Sequence, residues 1–133
     1  MRSVSFLFLL GEAQLSIVSA VIAVLVAAIH LFIVWLEMFA WESRGPKVFR
    51  GLPKDMFAPT KAMAANQGLY NGFLAAGLIW SLMISNPVWQ SHIALFFFGC
   101  VAAAGIYGAV TVSRRIFYVQ ALPALLGIVS LMF

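Results

Sequence analysis

Charge is scarce in this chain of 133 residues. Only 9% of its residues are Asp, Glu, Lys or Arg, while 64% are hydrophobic. A soluble domain carries roughly a quarter charged residues, and a small one has too much surface for its volume to bury so many apolar side chains. A disordered chain needs low hydrophobicity and high net charge. Both classes are excluded, and lipid is the solvent that fits. Cysteine is nearly absent too. The single Cys100 allows no intrachain disulfide, no CxxC redox pair and no thiolate metal cage. There is no GxxxxGK[ST] phosphate loop and no GxGxxG fingerprint, so no nucleotide cofactor is expected. The net charge of +4 lies in two short loops, where membrane orientation explains it before nucleic acid does. No nucleic-acid partner is expected.

What the chain has in abundance is long apolar runs. Residues 62–113 carry no charge over 52 positions, and as one helix they would measure ~78 Å, far beyond a bilayer core of ~30 Å. The run must turn, and the adequate turn signal is Ser85, Asn86 and Pro87, followed by Trp89, Gln90, Ser91 and His92. Four spans result, at about 15–41, 62–84, 93–112 and 116–133. The expected fold is all-α, an integral membrane four-helix bundle forming a single domain over 15–133, preceded by a short N-terminal extension over 1–14.

Lysine and arginine orient these spans. Arg44, Lys47, Arg50, Lys54 and Lys61 fall in the first loop and Arg114 and Arg115 in the third, with Arg2 alone on the other side. The positive-inside rule then places both basic loops in the cytoplasm and both termini on the non-cytoplasmic side of the cell (inner) membrane. Pro46, Pro53 and Pro59 predict that loop 42–61 is mostly irregular, with Phe49 and Phe57 free to lie on anionic headgroups.

Helices in lipid approach closely where small residues share a ridge. Ala64, Gly68, Gly72 and Ala76 recur at four-residue spacing in the second span. Cys100, Ala104 and Gly108 do so in the third, with Gly105 and Ala109 beside them. This pattern predicts that the second and third helices pack tightly together, so that Gly72→Leu should cost more stability than an equally bulky change at Leu78. Pro123, among Ala121, Ala124 and Gly127, predicts a bend in the fourth span.

Glu37 is the one charged side chain of twelve that falls inside a span. An acid there needs a partner, water or a proton, because a charged acid at mid-membrane costs roughly 2.5 kcal/mol or more. His30, seven positions earlier on the same face, is ~10 Å away along the axis. Asn66, Gln67, Tyr70, Asn71, Tyr107 and Gln120 are assigned by the orientation above to the cytoplasmic half of their spans, whereas the outer half is Ile, Leu, Val, Phe and Met. The expectation is a polar cavity in the cytoplasmic half that takes a small amphipathic or lipid-derived ligand. Glu37 and His30 are the candidate catalytic, proton-transferring groups, and Asn66, Gln67, Tyr70, Asn71, Tyr107 and Gln120 orient the ligand. A purely structural hydrogen-bond network, or an ion pair of Glu37 with Lys61 or Arg44, is the competing account. One histidine and one carboxyl at that separation make no metal site.

Four segments carry a resemblance. They are Glu37–Trp41 (EMFAW), 65–73 (ANQGLYNGF), Gly99 and Cys100 followed by 105–108 (GIYG), and Gln120–Ala124 (QALPA). Together they resemble a bacterial family of small four-span membrane proteins known as a domain of unknown function, over about residues 20–130. The resemblance implies a four-helix integral membrane protein and no established activity. Two further functions stay open. A proton-coupled small-molecule exporter would share the membrane carboxyl in its first span, and an accessory subunit of a larger membrane complex would use the small-residue ridges. Whether the chain is an enzyme is left open by these residues.

Overall fold

The computed structural model describes residues 14–133, and every described element is helical. The expected extension at 1–14 lies, but for Gln14, outside the described residues. Helix α1 (Ile17–Phe39) starts at Ser16, whose side chain accepts from the Ser19 amide at 3.1 Å and so satisfies one of the open N–H groups of a first turn. It stops at Ala40, where φ falls to −127°. Helix α2 (Trp41–Val48) follows, then a 3₁₀ turn (Lys54–Met56), α3 (Lys61–Met83) and α4 (Pro87–Thr111). The chain ends in a helical turn (Arg114–Ile116), a π-helical segment (Phe117–Ala121) and α5 (Leu122–Ser130).

The helices lie close to the apolar runs read from the sequence, with two local differences. Helix α4 begins at Pro87, six residues before 93. Asn86 caps it by accepting from the Trp89 amide at 3.1 Å, and proline is pre-shaped for a first helical position. The turn signal was therefore also a helix start. The bend expected from Pro123 takes the form of a wide turn just upstream, where the Leu122 amide reaches back five residues to the Phe117 carbonyl. A proline ring lacks the N–H for a regular bond and crowds the carbonyl four residues earlier, so the preceding turn opens.

Loop 42–61 departs further from expectation. It is an ordered cap rather than an irregular strand of chain. Phe57 is buried against Gly45 and against Trp41, with ring centroids 4.9 Å apart, and the Trp41 indole donates to Thr60 Oγ1 at 3.1 Å. A Cβ on Gly45 would come within 2.7 Å of the Phe57 ring. Phe57 is thus a local core residue and is unavailable to headgroups.

Helix α1 packs most extensively on α3, α3 on α4, α4 on the C-terminal segments, and α5 back on α1, each pair antiparallel, so the ring closes. Ala23, Val26, Ala27, Leu78, Ala94, Phe98, Val101, Ala102 and Ala124 fill its centre. The glycine ridges do not meet each other as expected. A Cβ on Gly68 would lie 2.7 Å from Met38 Cγ and 3.0 Å from Glu37 Cβ, so the α3 ridge faces α1. A Cβ on Gly105 would lie 2.6 Å from the Ala121 backbone nitrogen, so the α4 ridge faces the π segment. Between α3 and α4 the close contact is Gly77 under the Phe97 ring. Gly72 is only in ordinary contact with Val34 at 3.5 Å, while Leu78 is fully buried. The expected ranking of Gly72 above Leu78 therefore does not follow from this packing.

Candidate functional site: a buried carboxyl held by two amides

The candidate site forms where α1 crosses the glycine of α3. Because Gly68 has no side chain, the stem of Glu37 lies directly on α3, and the carboxyl is 3% exposed. Gln67 and Asn71 are four residues apart and so stack on one side of α3. Gln67 Nε2 donates to Glu37 Oε1 at 3.0 Å and Asn71 Nδ2 donates to Oε2 at 3.0 Å, one amide for each oxygen. Asn71 is fixed in turn by a 3.1 Å bond from Nδ2 to the Gln67 carbonyl. A carboxyl removed from water is tolerated only when its lone pairs are met, and here both oxygens are.

The partners of Glu37 are amides rather than a cation. Among the described residues the one ion pair joins Lys61 to Glu42 at 2.7 Å, close to where α2 and α3 meet, and it uses the lysine that the sequence offered to Glu37. His30 is fully buried one further stretch along α1. Its Nδ1 donates to the Val26 carbonyl at 2.8 Å, which fixes the proton on that nitrogen because a carbonyl only accepts. Its Nε2 is buried with no hydrogen-bond partner among the described residues.

The other expected ligand groups are placed elsewhere. Asn66 is exposed and donates to its own helix at the Ala62 carbonyl, 3.1 Å away. Tyr70 and Tyr107 point outward and are among the most exposed large side chains. Gln120 is half-buried on the π segment, which touches α1. The structure thus gathers Glu37, Gln67 and Asn71, sets His30 apart in the core, and leaves Asn66, Tyr70 and Tyr107 on the outer surface. Among the described residues no three His, Cys, Asp or Glu side chains lie together as a metal site would require.

Polar contacts at the opposite end of the ring were not foreseen from the sequence. The Leu15 amide donates to Gln90 Oε1 at 3.0 Å, and Ser130 Oγ donates to Ser19 Oγ at 2.9 Å. Serine reads as weakly polar filler within an apolar run. The signal that was available is Ser16 before a hydrophobic stretch, which marks a helix start.

Among the described residues every element is helical, two helices are long and apolar enough to cross a membrane, Ile17–Phe39 and Pro87–Thr111, and one of them holds a buried acid, a combination that fits the class of helical membrane proteins. The chain belongs to the family described as "Protein of unknown function (DUF1304)", which it matches over residues 24–132. It is 26% identical over 121 residues to the uncharacterized protein YpaA of Lactococcus lactis subsp. lactis (strain IL1403), covering 90% of this chain and 100% of that one. No solved structure matches the chain.

Proposed function

We propose that this is a multi-pass protein of the cell (inner) membrane with four spans, namely α1, α3, α4 and the Arg114–Ser130 segment. Both basic loops then face the cytoplasm and both termini face outward. The antiparallel ring supports this reading, because it brings Arg44, Lys47, Arg50, Lys54, Lys61, Arg114 and Arg115 to one end. The functional centre is Glu37 with Gln67 and Asn71. It binds the head of a small amphipathic or lipid-derived molecule that offers a cationic or hydroxyl hydrogen-bond donor, and Glu37 is the group that would exchange a proton with it. The observation that carries the reading is a buried carboxyl that no cation among the described residues pairs with, flanked by an exposed Gln67 and a half-buried Asn71 through which a ligand head can approach.

The test uses a long-chain aliphatic amine bearing a photoactivatable diazirine, in native membranes. Labelling is expected on α1 and α3 peptides around Glu37, with a loss of at least about tenfold in Glu37→Gln, the scale of one charge-assisted hydrogen bond. Equal labelling of the variant would remove Glu37 from the site. Orientation is read separately, by placing single cysteines in loop 42–60 or at Ser85 on a Cys100→Ala background. An impermeant maleimide applied from outside is expected to reach only Ser85→Cys.

A further inference from the structure

The outer face of α3 carries two polar side chains where lipid should lie. Met63, Asn66, Tyr70 and Phe73 follow one another at spacings of three, four and three residues, and all four are exposed, Met63 by 72%, Tyr70 by 66% and Phe73 by 55%. Taking α3 as a span, which rests on the reading above, Asn66 and Tyr70 lie roughly 7 and 13 Å below Lys61. An amide and a phenol at those depths are not met by headgroups, and polar side chains inside a membrane face a partner or water. A three–four spacing is the seam by which two helices pack with a left-handed crossing.

We infer that this face of α3 pairs with the same face of a second copy of the chain, across a twofold axis along the membrane normal. Two features select a second copy over a different protein. The charge bias gives every copy one orientation, so equivalent residues meet at equal depth without any further matching. The groups are also self-complementary. Asn66 commits only one N–H to the Ala62 carbonyl, which leaves a second N–H and the amide oxygen, one donor and one acceptor to exchange with the other Asn66. Tyrosine hydroxyls likewise donate and accept. The pairing is confined to the first half of α3, because at Gly77 the helix turns this edge under Phe97 of its own chain. The Glu37 centre, held by Gln67 next to Asn66, then lies beside the dimer seam.

Single cysteines on a Cys100→Ala background, oxidised in native membranes, test the pairing. Tyr70→Cys is expected to form a disulfide dimer, and Val110→Cys, which is even more exposed, on α4, is expected to form none. Asn66→Leu should weaken association roughly tenfold, the scale of interhelical polar contacts in lipid. The unsubstituted protein should run as a dimer by native mass spectrometry from mild detergent. That measurement stands even if a variant fails to fold. A monomer, equal cross-linking at Val110→Cys, or a Tyr70→Cys adduct with some other protein would each overturn the second copy as occupant. Labelling of Tyr70→Cys by an impermeant maleimide from the aqueous side would instead show that α3 does not span, and would overturn the reading on which the inference rests.

Discussion

Two of the tight seams of this ring are built in different ways. Where α4 meets the π segment, Gly105 lies against backbone, with no room for a single added carbon. Where α1 meets α3, Gly68 lies first against side-chain atoms, Met38 Cγ and Glu37 Cβ, with the Met38 backbone nitrogen farther off at 3.4 Å, and beside it two amides close on a carboxyl. Backbone cannot move aside, whereas a methionine side chain can. The first seam is therefore a fixed joint, and the second has some room to adjust at Met38.

The largest effect should come from attacking the fixed joint. Gly105→Ala places a Cβ on the Ala121 amide and should cost about 2–3 kcal/mol in thermal unfolding, at the upper end of overpacking. Gly72→Ala, facing Val34 at 3.5 Å, should stay within about 0.5 kcal/mol because alanine is also the better helix former. Similar costs at both positions would dissolve the distinction between the seams. The polar seam is probed next. Glu37→Leu strands the Gln67 and Asn71 amides and should cost about 1–2 kcal/mol. Glu37→Gln should cost less than about 1 kcal/mol, since the exposed Gln67 amide can flip and accept from the new N–H. If Gln proves as damaging as Leu, the charge itself is what the amides hold. A small effect is also expected far from both seams. Ser19→Ala removes the Ser130 bond and should lower stability by about 0.6 kcal/mol, the average for such bonds in membrane helices.

Much of this was legible in the sequence. The apolar runs locate the helices because nothing else can be done with 52 uncharged residues, and Glu37 stands out because a charge in such a run demands an explanation. Gln67 and Asn71 were among the expected ligand groups. The sequence did not distinguish them from Asn66 and Tyr70, since α3 is apolar on most sides and its periodicity does not fix which way it is rotated. Adjacent residues on a helix differ by ~100°, so Asn66 and Gln67 go to different surroundings, and it is the seating of Gly68 on Met38 that decides which. Loop 42–61 was misread for a different reason. Its prolines and charges point to an irregular loop, whereas its Phe49 and Phe57 fold back on Trp41, just upstream, and the three rings form a local core.

The spacing of the contacts along the chain also bears on how the protein is made. Glu37 finds its amides 30 and 34 residues later, whereas Ser19 waits 111 residues for Ser130. A polypeptide emerges from the ribosome N-terminus first, so α1 and α3 are available to each other as a helical hairpin before the last segment has emerged. The acid's two amides are thus available to it early, within the first hairpin. The last segment then completes the ring from outside, and a chain interrupted before Ser130 would still hold a hairpin with its carboxyl satisfied.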